Sequence, residues 1–158
     1  MMDMDDLIAE GQRLLSEAKF EDAAAVFGQA LALDPDDVGL LVAHGAALIT
    51  LGQYAEAFAD FDRAVELKPD SPRLYFRRGM GRMAQMDFEK AIVDFSRAID
   101  LDHSYAVAFY CRGMAYDSLG KELESQEDLR RAWVLGSATL QGELDKYGII
   151  RTDMDKPR

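Results

Sequence analysis

Apolar residues recur at helical spacing along the chain, in pairs of stretches that a short polar break separates. One clear pair runs from Val38 to Leu51 and from Tyr54 to Leu67, with Gly52-Gln53 between the two stretches. Spacings of three and four residues place apolar side chains on one face of a helix. Because neither stretch contains a proline or an alternation of apolar and polar residues, the pattern predicts two helices joined by a tight turn.

The pair of stretches repeats with a period of 34 residues. A regular period of this length predicts stacked repeats, in which small residues let helices approach closely and aromatic residues fill the space beside them. In the last unit, Ser125 and Leu129 replace the first alanine and the phenylalanine of the pattern. The in-phase structural positions are Gly11, Gly45, Gly79 and Gly113; Ala23, Ala57 and Ala91; Phe27, Phe61 and Phe95; and Ala30, Ala64, Ala98 and Ala132.

This pattern resembles the tetratricopeptide repeat, a 34-residue helix–turn–helix unit with Gly, Ala, an aromatic residue, Ala and Pro at these relative places. The resemblance covers roughly residues 4–137, although His103 and Ser137 stand where the family usually has proline. It implies an all-α fold, a right-handed superhelical α-solenoid of antiparallel helix pairs. The expected repeats are approximately 4–37, 38–71, 72–105 and 106–137.

Beyond the fourth repeat, the sequence predicts one more helix and a tail. After Gly136, apolar residues again follow helical spacing, at Leu140, Leu144 and Tyr147. A solenoid needs a terminal element that covers its last repeat. We therefore predict a capping helix over 138–147, which completes a single domain over 1–147. Residues 148–158 mix charges without periodicity and are predicted to form a flexible tail.

The charge and the termini narrow the classes of partner and the location. A net charge of −11 repels nucleic-acid phosphates and anionic lipid, so neither nucleic acid nor a membrane surface is an expected partner. The chain begins with acidic residues rather than a signal peptide, and no apolar run is long enough to span a bilayer. A single cysteine, Cys111, excludes an internal disulfide and a cysteine-rich zinc site. We expect a cytoplasmic protein.

The sequence contains no motif that predicts catalysis. It has no nucleotide-binding glycine motif. Gly79-Met80-Gly81 lies inside a predicted helix, and its two glycines are interpreted as small residues at a helix contact. His44 and His103 are not spaced as a metal pair, and Cys111 has no neighbour that would activate it. We therefore expect no catalytic residue, no metal, no cofactor and no enzymatic activity.

One pair of positions varies together between the repeats. The residue before each repeat glycine is Glu10, His44, Arg78 or Arg112, and an aspartate follows 16 residues later in every unit except the first. This pairing predicts a structural ion pair or hydrogen bond between helices, within a unit or across to the next. A catalytic role for His44 with its aspartate is the weaker alternative, because arginine replaces histidine in the other units.

In the resembled family, the first helix of each unit lines a concave face. Helical periodicity selects the side chains that point into it, and they are more apolar than the chain as a whole, which is typical of an interaction surface. The alternative is that some of them are buried between neighbouring first helices, or covered by the tail or by a second copy. The predicted partner-binding residues are Val42, Ile49, Arg73, Phe76, Arg77, Met80, Met83, Tyr110 and Met114.

Two arginines on this face resemble part of a known recognition device. Heat-shock co-chaperones of the family clamp a C-terminal carboxylate with basic and asparagine residues, and Arg73 and Arg77 match two of those places. Ile8, Gln12 and Ala43 stand where Lys, Asn and Asn are expected. We therefore expect no complete clamp, but the two arginines can anchor one acidic group.

These observations predict a non-catalytic scaffold or adaptor that binds a peptide or helical segment of another protein in a mostly apolar concave groove. Self-association through the same face remains open. The alternative is a small acidic chaperone of the secretion type, which holds a hydrophobic client. That alternative rests on the size, the charge and the repeat type of the chain.

Overall fold

The computed structural model describes residues 1–148, except for the side chains of 137–139, and most of the predicted tail lies outside the described residues. Consecutive helices pair and the pairs stack, so the predicted all-α solenoid is confirmed; we call the pairs units one to four. Over the described range the elements are α1 (Met4–Ser16), α2 (Phe20–Leu33), α3 (Val38–Thr50), α4 (Tyr54–Leu67), α5 (Pro72–Ala84), α6 (Phe88–Leu101), α7 (Ala106–Ser118) and α8 (Glu122–Lys146).

Local sequence signals set where several of the helices begin. The Asp3 carboxylate accepts a hydrogen bond from the backbone N–H of Asp6 at 2.9 Å and so caps α1. The carboxylate of Asp37 does the same for α3, where the N–H of Leu40 donates at 2.9 Å. At the start of α5, Pro72 occupies the first turn, where a missing N–H costs no hydrogen bond.

The repeat glycines allow the two helices of a unit to approach closely. A Cβ atom placed on Gly79 would lie 2.7 Å from the ring of Phe95, and one placed on Gly45 would lie 3.3 Å from the carbonyl oxygen of Ala57. Gly45 thus lets the backbones of α3 and α4 approach closely at Ala57. A side chain at either glycine would have to displace an aromatic ring or the neighbouring backbone.

The predicted polar pairs form inside units two to four. The guanidinium of Arg78 donates to both carboxylate oxygens of Asp94 at 2.8–3.2 Å, and Arg112 holds Asp128 in the same way at 2.7–2.8 Å. In unit two, Nδ1 of His44 lies 2.7 Å from Oδ2 of its aspartate. The bonds between the first and second helix of a unit therefore have a structural role.

The same arginines also join each unit to the one before it. Arg78 donates to Asp62 in unit two at 2.7 Å, and Arg112 donates to the Ser96 hydroxyl in unit three at 3.0 Å. Burial opposes the charge on Arg78, but the bonds to Asp94 and Asp62 outweigh it and raise the pKa of the guanidinium. In Arg112 the bond to Asp128 is the main cause of a raised pKa. Both arginines therefore stay charged.

The last helix changes direction at Gly136, where the backbone is extended (φ 167°, ψ 86°). Residues 122–135 pair with α7 as the second helix of unit four. Residues 137–147, which we call the C-terminal segment, pack against the first helices of units three and four through Leu140 and Leu144, both buried. None of the helices in the described part of the chain combines the length and apolarity needed to cross a bilayer.

Candidate functional site

The concave face differs between the two halves of the solenoid. Ile8, Val42, Phe76 and Tyr110 occupy the same repeat position in units one to four. Ile8 and Val42 are partly exposed, whereas Phe76 is 0% and Tyr110 2% exposed. Phe76 and Tyr110, which were predicted to bind a partner, are therefore not accessible in this structure, because the C-terminal segment packs in their half of the face.

We call the covered part the closed face, which comprises Phe76, Tyr105, Val107, Tyr110 and Cys111. The ring of Tyr147, at the end of the C-terminal segment, meets the Phe76 ring edge-on with centroids 4.9 Å apart. Burial, followed by the charge and hydrogen bond of Tyr147, raises the pKa of Tyr105, which keeps this hydroxyl neutral. The segment thus fills the face with an aromatic contact and a polar one.

The uncovered part, which we call the open groove, lies on units one and two. It is a cavity of about 430 Å³ with mostly apolar walls, and a single basic side chain, Arg77, reaches it from unit three. The carboxylate of Asp37 at its edge already caps α3. The lining residues are Ile8, Gln12, Leu15, Phe27, Asp37, Gly39, Leu40, Val42, Ala43, Ala46 and Arg77.

A smaller cavity of about 270 Å³ adjoins the open groove and carries more positive charge. It shares Val42 and Arg77 with the groove and adds Lys68 and Arg73. Lys68 and Arg73 are both exposed. One end of the open groove is therefore basic, in a chain whose net charge is −11.

The other predicted partner-binding residues lie elsewhere. Ile49 packs between α3 and α5, since a Cβ atom on Gly81 would lie 2.9 Å from its Cδ1 atom. Met80, Met83 and Met114 are partly buried against the core of units three and four. Of the nine predicted residues, Val42, Arg73 and Arg77 line the open groove or the cavity beside it. The alternative of burial between first helices applies to Ile49.

The geometry also bears on the partial likeness to a carboxylate clamp. Ile8, Gln12, Ala43 and Arg77 do share one cavity, so the positions converge as they would in a clamp. Three of the four side chains carry no charge, and Arg73 lies in the adjoining cavity. The site is thus suited to an apolar ligand with one acidic group rather than to a fully clamped carboxylate.

Several lining residues were not among the nine predicted partner-binding residues. Helical spacing on the first helices of units one and two points Ile8, Leu15 and Ala46 into the concave face on the same grounds as Val42. Lys68 lies between two units, where helical periodicity gives no direction. The sequence predicted a separate helix after Gly136 with Tyr147 on its apolar side, but it did not predict the contact of Tyr147 with Phe76 in unit three.

The reactive side chains of the described residues form no catalytic arrangement. Cys111 is 3% exposed, and burial raises the pKa of its thiol, which therefore stays protonated near neutral pH. His44 is held by Asp60 as part of the polar pair in unit two. Within residues 1–148 no cluster of three or more His, Cys, Asp or Glu side chains could hold a metal ion.

Comparison with known proteins identifies the repeat. The family model described as tetratricopeptide repeat matches residues 8–72. A crystal structure of MamA is 22% identical, covers 94% of this chain and 87% of its own, and superposes with a TM-score of 0.72. Residues 8–72 therefore form tetratricopeptide repeats. Such repeats generally form non-catalytic folds that bind peptides or proteins.

Two further solved structures share the fold of this chain. MamA residues 41 to the end from Desulfovibrio magneticus RS-1 is 22% identical, with 90% of this chain and 78% of that chain covered and a TM-score of 0.76. YrrB, described as a TPR protein with an unusual peptide-binding site, is 23% identical, with coverages of 90% and 74% and a TM-score of 0.74. No curated protein matches the sequence.

Proposed function

We propose that the protein is a non-catalytic interaction module whose open groove binds an apolar peptide or helical segment of another protein, with an acidic group at the basic end. The observation that carries this proposal is the cavity of about 430 Å³ with Ile8, Val42 and Ala46 in its wall and Arg77 at its edge. A concave, mostly apolar site with a few polar groups is the usual form of a specific binding site.

The charges beside the groove define the polar part of the ligand. Lys68, Arg73 and Arg77 line one continuous end of the site, and Arg73 and Lys68 reach solvent. A carboxylate of the ligand would gain charge-assisted hydrogen bonds there, whereas a basic ligand would be repelled. YrrB, a protein of the same fold, is described as having a peptide-binding site, which supports the binding of a peptide by this chain.

The test is a selection of random peptides on the whole protein, followed by binding measurements on the enriched sequences. We expect apolar peptides that carry Asp, Glu or a free carboxylate. Ala46→Arg, which fills the groove, should weaken their binding at least about tenfold, a loss of about 1.4 kcal/mol. The matched control is Ala59→Arg on α4, an exposed position outside the groove, which should leave binding unchanged.

The chaperone alternative makes a different prediction. A chaperone of the secretion type would keep a hydrophobic client soluble on co-expression without selecting short peptides. Enriched peptides that bind Ala46→Arg as well as the wild type would contradict the open-groove proposal. Enrichment of no peptide would also contradict it and, together with a client kept soluble on co-expression, would favour that alternative.

A further inference from the structure

The closed face lies at the same repeat positions as the open groove but carries larger side chains. Its residues occupy the same repeat positions as the open groove, but Phe76 and Tyr110 replace Ile8 and Val42, so the half that is covered carries the larger aromatic side chains. The next position shows the same difference: Cys111 is 3% exposed, whereas its equivalent Ala43 lines the open groove. The C-terminal segment therefore covers the half of the concave face that carries these larger side chains.

The C-terminal segment is attached in a way that permits it to leave. It joins unit four through the extended residue Gly136, and the helix before that residue is already packed through Leu129 and Ala132. Its described apolar contacts come from Leu140, Leu144 and Tyr147. Release of the segment would therefore break these contacts, while the contacts of Leu129 and Ala132 in unit four would remain.

The contacts of the segment define what the closed face recognises. Leu140 and Leu144 enter the apolar part, and Tyr147 packs on Phe76 while the guanidinium of Arg77 lies 4.8 Å from the Tyr147 ring centre. Arg73 and Glu143 line one cavity of about 440 Å³ beside this contact. The features recognised are two leucines one helical turn apart, a tyrosine three residues later, and an acidic residue before the second leucine.

We infer that the closed face is a second binding site, for an amphipathic helix of another protein with the pattern Leu-x-x-Glu-Leu-x-x-Tyr, and that the C-terminal segment occupies it until such a helix replaces it. The site adjoins the open groove and shares Arg77 with it, but its apolar residues are different, and the inference does not depend on the function proposed for that groove. Because the segment is tethered, its effective concentration is of the order of millimolar, and the wild-type chain resists competitors.

The probe is a labelled synthetic peptide of residues 137–148, titrated into the full chain. Leu144→Asp places a charge at a position that is 0% exposed and should release the segment. We expect this variant to bind the peptide at least about tenfold more tightly than the wild type, because the tethered competitor is removed. Gln141→Asp, at an exposed position of the same segment, is the matched control and should bind as the wild type does.

Two further measurements separate the possible failures. The thiol of Cys111 should react faster in Leu144→Asp than in the wild type, and the helical circular dichroism should be retained. If Leu144→Asp unfolds, Tyr147→Ala provides the milder release and should show the same gains. A second peptide that keeps the two leucines, the glutamate and the tyrosine, but differs at its other positions, should bind equally well.

Three results would overturn the inference. They are a folded Leu144→Asp variant that binds no better than the wild type, a Cys111 thiol that stays protected in it, and wild-type chains that dimerise by exchanging their segments. The last result would assign the face to a second copy of this chain. Ala46→Arg should leave binding of the 137–148 peptide unchanged, so loss of the open-groove function and loss of this one are distinguishable.

Discussion

The two halves of the concave face are built from equivalent first helices, α1 and α3 in one half and α5 and α7 in the other. One half is nevertheless open and the other is closed. Val42 in unit two lines a cavity, whereas Phe76, its equivalent in unit three, is completely buried. The difference comes from eleven residues at the end of the described chain, 137–147, and not from the repeat itself. In a solenoid, a repeat position therefore fixes the direction of a side chain, but the availability of that side chain depends on what the chain termini cover.

The largest expected difference in stability between the two halves is at the repeat position of Val42 and Phe76. Phe76→Ala should lower the free energy of unfolding by about 3–5 kcal/mol, because it empties space between Phe95, Tyr105 and Tyr147. Val42→Ala removes two partly exposed methyl groups and should cost less than about 1.5 kcal/mol. Chemical denaturation of both variants measures the difference; equal costs would mean that Phe76 is no better covered than Val42.

A smaller effect is expected at the polar pairs, which also differ between the halves. Arg112→Ala leaves the Asp128 carboxylate buried without its partner and should cost about 3 kcal/mol. The side chain of Asp60 in unit two retains 16% exposure, so His44→Ala should cost only about 1 kcal/mol. Thermal unfolding followed by circular dichroism tests the order, and a larger loss for His44→Ala would contradict it.

The smallest effect on stability is expected at the turns within the units. In each half of the solenoid one of these turns has glycine and the other has a different residue. Ala18, Gly52, Met86 and Gly120 all have positive φ, between 56° and 74°, at equivalent repeat positions. Met86 is 73% exposed, so Met86→Gly removes backbone strain at little cost in packing and should stabilise the chain by about 0.5–1 kcal/mol. Gly120→Met should destabilise it by a similar amount. An unchanged midpoint of unfolding for both variants would show that positive φ at these turns does not affect stability.

Much of the fold was predictable because its signals are local and periodic. The 34-residue spacing of Gly45 and Gly79 required close helix contacts, and the shared variation of Arg78 with Asp94 required a bond between their helices. Both contacts are present in the structure, and each joins two residues of the same unit.

The division of the concave face was not predictable in the same way. Periodicity gave Phe76 and Val42 the same direction, and the resemblance gave both the same role. Their different exposures depend on the path of the chain after Gly136. That path brings Tyr147, which follows the last repeat, into contact with Phe76 in unit three. Such a contact is set by tertiary packing, and a local pattern does not encode it.

The most direct test of the divided face uses one chemical reaction at two equivalent positions. In the wild-type chain the single thiol, Cys111, reports on the closed face; in a Cys111→Ala chain, Ala43→Cys places a thiol at the same repeat position in the open groove. Burial raises the pKa of the Cys111 thiol, which slows its reaction further. We expect Cys111 to react with a disulfide reagent at least about a hundredfold more slowly than the thiol at position 43, since it must wait for the C-terminal segment to open. Similar rates at the two positions would contradict the division.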